Sequence, residues 1–205
     1  MRFKIKQQVS FLADFLSSVK GDWGVNDRDL TRPGFQALLV YRFGVWRSRM
    51  PAFPKLALFP LYAVLAVFIR NFYGIELSWR TRIGRRFRIV HQSGIVIHPF
   101  AVIGDDCMIR QNVTIGATGD IPTDAPFIGH RVEVGAGAVI VGKVRIGDGT
   151  RIGPNAVVMS DVPPGSIVVA TPGRVIPRPR TQVERHSDEQ GDLNDRYKRT
   201  YEGGR

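Results

Sequence analysis

The sequence is poor in cysteine, in long uncharged runs and, over its first 90 residues, in acidic side chains. Its single cysteine, Cys107, excludes an intrachain disulfide and favours a reducing compartment. Cys107 stands two positions before Ile109, just as the small residues Ala101, Ala138 and Ala156 stand two positions before Ile103, Ile140 and Val158. We therefore interpret it as a buried packing residue, since a free cysteine in an apolar setting behaves as a small hydrophobe.

Residues 56–69 form a run of fourteen uncharged residues, which is short of the ~20 that a membrane-spanning helix needs. Pro60 interrupts the run, and Lys55 and Arg70 flank it. The segment is typical of a helix buried at an oligomer interface, or of a helix that lies in an anionic membrane surface. We expect no cleaved signal peptide, because Asp14 interrupts the N-terminal apolar pattern.

Acidic residues are so scarce at the start that the first 90 residues carry the whole net charge of +11. There, sixteen Lys and Arg stand against five Asp and Glu, whereas the remainder is nearly neutral. Such a local field predicts an anionic partner for the N-terminal region alone. We expect that partner not to be nucleic acid.

The sequence does contain a six-residue period of isoleucine and valine. Its positions are Ile83, Ile89, Ile97, Ile103, Ile109, Ile115, Ile128, Val134, Ile140, Ile146, Ile152 and Val158. Neither a helix of 3.6 residues per turn nor an alternating strand repeats in this way, so the period predicts short strands that turn a corner each time, a parallel β-helix. Two irregularities stand out: two extra residues between Ile89 and Ile97, and a longer loop between Ile115 and Ile128.

The predicted fold class is mainly β: a left-handed parallel β-helix of hexapeptide repeats with an N-terminal α-helical subdomain. We divide the chain into a basic helical region (1–75), the β-helix (76–176) and a charged tail (177–205) that we expect to be disordered. Trimerisation about an axis parallel to the coil would cover the flat sides of such a solenoid and leave a cleft between neighbours.

Several motifs occur in a fixed order along the chain, two of them before the repeat. They are residues 27–29 (DRD), 33–38 (PGFQAL), 89–96 (IVHQSGIV), 113–119 (VTIGATG), 135–138 (GAGA) and 170–175 (ATPGRV). Together they resemble the serine acetyltransferases over about residues 25–176. The chain also resembles the short relatives of that family found in exopolysaccharide and capsule biosynthesis.

The resemblance implies a homotrimeric enzyme that transfers acetyl from its co-substrate acetyl-CoA to a hydroxyl, without a metal. It implies that His91 is the general base and that Glu76, fifteen residues earlier, is the carboxylate that orients it. It places Asp29 at the acceptor. The backbone positions that it implies for CoA are Ala117, Ala136 and Pro154.

The chemistry suits a histidine. A hydroxyl must lose its proton as it attacks a thioester, and an imidazole, which ordinarily titrates near pH 6.5, offers a neutral base. A carboxylate on the other ring nitrogen would fix the tautomer and stabilise the imidazolium. Backbone N–H groups in the turn at residues 116–119 could stabilise the oxyanion.

Two departures from the family bear on the acceptor. Val90 stands where the family has an aspartate that contacts the amino acid, and the loop at 118–127 lacks the family's Arg-His pair. Each lost charge-assisted contact costs about 1.5–3 kcal/mol. We therefore expect a sugar hydroxyl, free or on a lipid-linked glycan, bound by Asp120 and Asp124. The enzyme would act in the cytoplasm, peripherally on the inner face of the membrane.

Three alternatives remain open. The first is a serine O-acetyltransferase of cysteine biosynthesis. The second is a zinc hydratase similar to the γ-carbonic anhydrases, which would need three histidines shared across an interface; His91 and His98 are close in sequence, and the next histidine is His130. The third is a non-catalytic membrane scaffold, which would not bind CoA.

Overall fold

The computed structural model describes residues 2–119, 124–174 and 176. Asp120 and the predicted tail at 177–205 therefore lie outside the described residues. One compact unit extends to Ala170, and a second begins at Thr171. The described helices and strands all belong to the first unit.

The N-terminal region is helical. Its helices are α1 (Arg2–Val25), α2 (Pro33–Ser48), α3 (Ala52–Ala57) and α4 (Phe59–Tyr73). Proline lies in the first turn of both α2 and α4, where its missing N–H leaves no helical hydrogen bond unmade. Pro60 thus begins a helix instead of breaking one. Gly74, with φ of 63°, ends α4 and leads directly into the first strand.

The rest of the unit is a solenoid of very short parallel strands. They are β1 (Ile75–Leu77), β2 (Arg82–Ile83), β3 (Arg88–Val90), β4 (Ile95–Ile97), β5 (Val102–Ile103), β6 (Met108–Arg110), β7 (Thr114–Gly116), β8 (Phe127–Ile128), β9 (Glu133–Val134), β10 (Val139–Val141), β11 (Arg145–Ile146), β12 (Arg151–Ile152), β13 (Val157–Val158) and β14 (Ile167–Val168). Strands three apart in chain order pair up to β13, and β14 pairs with β12, which gives sheet 1 (β1-β4-β7-β10-β13), sheet 2 (β2-β5-β8-β11) and sheet 3 (β3-β6-β9-β12-β14).

The isoleucine period is the interior of this solenoid. Ile97, Ile115 and Ile140 stack in register through sheet 1, and all three are buried. Burial of one such side chain stabilises the fold by about 1.5–3 kcal/mol, so one inward residue per strand is enough to specify the coil. The predicted parallel β-helix with a helical N-terminal region is confirmed.

The turns from sheet 3 to sheet 1 stack into one edge of the solenoid, which we call the His91 edge (residues 91–94, 111–113, 135–138 and 153–156). Backbone bonds of 2.9–3.0 Å join successive turns, from Asn112 N to Ser93 O, from Gly137 N to Gln111 O and from Asn155 N to Ala136 O. Ile89 and Ile97 are eight positions apart, whereas the pairs that stack on them in later coils (Ile109 and Ile115, Val134 and Ile140, Ile152 and Val158) are six apart, so the extra length after Ile89 widens the turn that carries His91.

A buried ion pair joins α1 and α2 to the solenoid. Arg42 Nε donates to Asp22 Oδ2 over 2.7 Å, and both side chains are at most 8% exposed. Arg42 also donates to Ile83 O and Gly84 O, while Phe87 N donates to Asp22 Oδ1 over 3.0 Å. Burial raises the pKa of the Asp22 carboxyl, and the hydrogen bond from Arg42 opposes that rise.

Replacing Arg42 by leucine should lower the free energy of unfolding by about 3–5 kcal/mol, because it leaves Asp22 buried without a counter-charge. The free energy of unfolding should fall less in the double variant Asp22→Leu/Arg42→Leu than in Arg42→Leu alone. Urea unfolding at one protein concentration measures both.

The matched control for that experiment is Arg151→Leu, which breaks a 3.9 Å pair with Glu133 between side chains that are 68% and 49% exposed. It should change the free energy of unfolding by less than about 1 kcal/mol. Equal losses for Arg42→Leu and Arg151→Leu would contradict the role of the buried pair.

The Cys107 thiol is buried, and desolvation raises its pKa to about 11. At pH 8 the native protein should therefore resist alkylation by iodoacetamide, because the thiolate is the reacting species. In urea the same thiol should titrate near its ordinary value of about 8.5 and react rapidly. Mass spectrometry of alkylated samples with and without urea gives the comparison; equal labelling rates would mean that the thiol is accessible in the fold.

Candidate active site

His91 lies at the widened turn, immediately after β3. Its side chain is exposed, and its backbone has φ of 64°. Asn112 and Asn155, in later turns of the same edge, have similar positive φ values of 59° and 57°. The left-handed conformation is therefore a feature of these corners, and its effect here is to turn the imidazole outward.

Beside His91 is a small cavity of about 70 Å³ that is rich in charge. Asp27, Arg32 and Arg88 line it together with His91. Arg88 Nη2 donates to Asp27 Oδ1 over 2.9 Å, and Arg32 Nη2 lies 3.6 Å from Asp27 Oδ2. These side chains are 39–57% exposed, so solvent screens the pairs and an incoming ligand could exchange with them.

Asn26 and Gly34 hold the loop that carries Asp27 and Arg32 close to His91. Asn26 is buried at the end of α1, where its amide donates to Phe87 O over 2.9 Å and accepts from Ile89 N over 3.2 Å. Gly34 packs in the first turn of α2, and a Cβ there would lie 2.5 Å from Ile89 O. The loop between α1 and α2 is thus held against the strand that ends just before His91.

Asp29 does not line the cavity, but it is joined to it through Arg32. Arg32 Nε lies 3.4 Å from Asp29 Oδ2. The Thr31 hydroxyl and the Thr31 backbone N–H donate to Asp29 Oδ1 over 2.6 and 2.8 Å. The hydroxyl hydrogen bond is the largest cause of the lowered pKa of Asp29, which keeps this carboxylate ionised at neutral pH.

Glu76 lies in β1 with its side chain exposed, and it pairs in register with Val96 of β4. It therefore projects from the outer face of sheet 1 close to the His91 edge. Among the described residues, no hydrogen bond or ion pair joins Glu76 to His91. The orienting role of Glu76 stays a prediction.

The positions assigned to CoA divide between two edges. Ala136 and Pro154 lie on the His91 edge, in turns successively further along the solenoid from His91. Ala117 follows β7 and so lies at the turn from sheet 1 to sheet 2. Gln111, between His91 and Ala136 on the His91 edge, has a buried side-chain oxygen with no hydrogen-bond partner.

The loop that leaves the repeat also departs from the sheet 1–sheet 2 edge, between β7 and β8. Asp124 is half-buried there. Within one chain this loop and His91 therefore begin at different edges of the solenoid. Asp120 lies outside the described residues, and no interaction joins Asp124 to the cavity beside His91.

The other described histidines accept hydrogen bonds from backbone N–H groups in turns. His98 Nδ1 accepts from Phe100 N over 3.3 Å, and His130 Nδ1 accepts from Asp105 N over 3.0 Å. Across residues 2–119, 124–174 and 176, no group of three or more His, Cys, Asp and Glu is arranged to hold a metal ion.

These features define a class, the hexapeptide-repeat acyltransferases, with a histidine exposed on the edge of a β-helix. A family model for bacterial transferase hexapeptide repeats, six in number, matches residues 125–160. A serine acetyltransferase of Helicobacter pylori is 40% identical over 152 residues, which cover 74% of this chain and 85% of the relative. One of Synechococcus elongatus is 39% identical over 158 residues, covering 76% of this chain and 62% of the relative.

Among solved structures, a serine acetyltransferase of Vibrio cholerae is similar with a TM-score of 0.68 and 30% identity, covering 86% of this chain and 71% of that one. The chain belongs to the serine acetyltransferase family, and the predicted left-handed β-helix acyltransferase family is confirmed. Acetyl-CoA is the co-substrate of this family, as the resemblance implied.

The predicted function, acetylation of a sugar or lipid-linked glycan in exopolysaccharide or capsule biosynthesis, is wrong. The relatives above are serine acetyltransferases, as the alternative held, and nothing supports the exopolysaccharide branch. The error came from seeking charged partners for an amino acid only at position 90 and in the loop at 118–127. Asp27, Arg32 and Arg88 supply both signs of charge beside His91 from elsewhere.

Sequence reasoning missed Arg32 and Arg88 at the site. Residues 27–29 were recognised as a motif, but Arg88 carried no signal beyond its position three residues before His91. The alternation of β3 offers that signal, because a buried Ile89 leaves Arg88 and Val90 on the outer face.

Proposed function

We propose that this protein is an acetyl-CoA-dependent serine O-acetyltransferase, with His91 as its general base. The observation that carries the proposal is the cavity beside His91, which combines carboxylate and guanidinium groups in a small space. L-Serine is a small zwitterion with a hydroxyl, and it needs both signs of charge next to a base. Family membership supports the same acceptor.

In the proposed complex, Arg88 and Arg32 bind the serine carboxylate and Asp27 faces its ammonium group, while Asp29 acts on the acceptor through its contact with Arg32. The acceptor would replace the existing contacts between these side chains, which are partly exposed. A guanidinium suits a carboxylate because its N–H groups can form two parallel hydrogen bonds.

The chemistry is acyl transfer. The serine hydroxyl oxygen attacks the thioester carbonyl carbon as neutral His91 takes the hydroxyl proton. The tetrahedral intermediate then breaks its C–S bond, and the CoA sulfur leaves and receives the proton from the imidazolium. The products are O-acetylserine and CoA thiol. Glu76 is proposed to orient and stabilise the imidazolium.

The proposed CoA path follows the His91 edge past Gln111, Ala136 and Pro154. Successive turns are about 4.8 Å apart, so these residues form a track leading away from the base. Gln111 supports this path, since a buried carbonyl oxygen without a partner calls for a donor, and the pantetheine arm of CoA carries amide N–H groups.

We propose that the working enzyme is a homotrimer, as hexapeptide-repeat acyltransferases of this kind are. Ala117 and the loop at 118–127 begin at a different edge from His91, so a neighbouring chain is needed to bring the two edges together. Cytoplasmic localisation also remains a proposal, which the single cysteine supports.

With L-serine and acetyl-CoA, the purified protein should release free CoA thiol, measured with a chromogenic disulfide. His91→Ala should lower kcat by about 10²–10⁴-fold, the usual contribution of a general base. The control is His98→Ala, which removes a histidine from a turn outside the cavity and should retain activity. Absence of serine-dependent thiol release would contradict the proposed function.

Arg88→Gln should raise the KM for L-serine by about 10–100-fold, because it removes a charge-assisted contact. The matched control is Arg151→Gln. Arg151 points outward from sheet 3 in the same column as Arg88: Arg88 pairs with Met108, Met108 with Glu133, and Glu133 with Arg151. Its KM for serine should be unchanged. An unchanged KM in Arg88→Gln would mean that serine binds elsewhere.

Gln111→Leu keeps the side chain's size but removes its carbonyl oxygen. The KM for acetyl-CoA should rise by about tenfold, corresponding to one buried hydrogen bond, while the KM for serine stays the same. A rise in the KM for serine with an unchanged KM for acetyl-CoA would contradict the proposed CoA path.

A further inference from the structure

Helices α3 and α4 expose a large apolar surface. The exposed apolar side chains are Phe53, Leu56, Leu61, Val64, Val67, Phe68 and Phe72, which we call the α4 outer face. The segment Ala52–Tyr73 is long and apolar enough to cross a membrane by length and composition, and its 18-residue apolar stretch has a mean hydropathy of 2.0, yet only 11% of that stretch is buried. Contiguous apolar surface of this kind marks an interaction site.

The opposite side of α4 is occupied. Tyr62 and Ile69, two helical turns apart, are buried, and Ile69 belongs to the same core cluster as Ile75 of β1. Arg47 of α2 lies 5.3 Å from the Phe59 ring and 5.1 Å from the Tyr62 ring, and it donates to Lys55 O. The helix pair is thus fixed along the protein, which leaves one long face available.

The surroundings of the α4 outer face are basic. Residues 51–90 contain seven Lys and Arg and one acidic residue, Glu76. Arg70 is exposed on α4 itself. Arg80 lies 5.4 Å from the Trp79 ring, and Trp79 packs against Gly44 beside Tyr62. The basic side chains therefore continue from α4 onto the neighbouring surface.

A cleft of about 680 Å³ extends this basic surface away from His91. Four exposed arginines line it together with the indole rings of Trp46 and Trp79. The arginines are Arg49, Arg80, Arg82 and Arg85. The acidic side chains in its lining are Asp14 and Asp105, so the cleft carries an excess of positive charge.

We propose that the α4 outer face binds the surface of an anionic lipid bilayer, with α3 and α4 lying in the plane of the interface. The apolar side chains would enter the boundary between headgroups and acyl chains, and the flanking lysine and arginines would meet lipid phosphates. Indole rings suit this depth because they are amphipathic. The proposal does not depend on which acceptor the enzyme uses.

Charge favours a bilayer over a two-fold contact with a second copy of this chain. A two-fold contact would place the same face opposite itself and bring two basic surfaces together. An anionic membrane would neutralise that charge instead. A subunit contact at this face is therefore the outcome that the experiment below must exclude.

The test is co-sedimentation of the full-length protein with vesicles. One set contains equal parts of phosphatidylglycerol and phosphatidylcholine, and the other contains phosphatidylcholine alone. We expect binding to the anionic vesicles that weakens with salt. Lys55→Gln/Arg70→Gln should weaken it by about 30-fold, since each basic side chain near such a surface contributes a factor of about five.

Val64→Asn/Phe72→Asn should lower the vesicle partition coefficient by at least about tenfold, because it removes apolar area from the α4 outer face. The matched control is Ile167→Asn/Val169→Asn, which replaces two equally exposed apolar residues at the end of the solenoid. It should bind vesicles like the parent protein.

Light scattering and acetyl transfer are measured on every variant. Parent-like vesicle binding by Val64→Asn/Phe72→Asn would overturn the proposal. So would failure of the parent protein to bind anionic vesicles. A fall in solution mass in Val64→Asn/Phe72→Asn, without vesicle binding by the parent, would identify the face as a subunit contact.

Discussion

The site depends on the buried ion pair between Asp22 and Arg42. Its hydrogen bonds reach from α1 and α2 to backbone groups at Ile83, Gly84 and Phe87 of the solenoid. Because a buried charge without its partner is costly, a shift of either helix along the solenoid would leave charge or backbone groups unsatisfied. The pair therefore helps to set the register between the helical region and the coil, together with the hydrogen bonds of Asn26 to Phe87 and Ile89 and of the Tyr41 hydroxyl to Thr81 and Ile83.

That register has a chemical consequence. Four residues after Asp22, Asn26 bonds to Phe87 and Ile89 of the first coil, and Asp27 follows directly into the cavity beside His91. Asp27 and Arg32 in the cavity thus come from the helical region, whereas Arg88 and His91 come from the solenoid. Neither region contains the candidate site by itself, and the buried pair helps to hold the two together.

Within the solenoid, the stacking of successive turns aligns residues that are distant in sequence. Turns separated by about twenty residues in sequence lie on top of one another on the His91 edge, so His91, Gln111, Ala136 and Pro154 follow a single line. The six-residue period made the coil predictable, since inward isoleucines leave little freedom in the pairing of strands. The position of His91 in the turn after Ile89 followed from the same count.

The acceptor was less predictable, and the reason is physical. Sequence motifs report neighbours along the chain, so the lack of the family's aspartate at Val90 and of its Arg-His pair in the loop at 118–127 argued against a zwitterion. Arg88 and Asp27 are 61 residues apart, and their 2.9 Å contact exists only because α1 docks on the first coil. By itself, the sequence determined the β-helix, the exposed histidine and the basic N-terminal region, because these follow from local periodicity and composition. The tertiary structure alone decided which charges surround the base and which face of α4 stays uncovered, because both depend on how the helices dock.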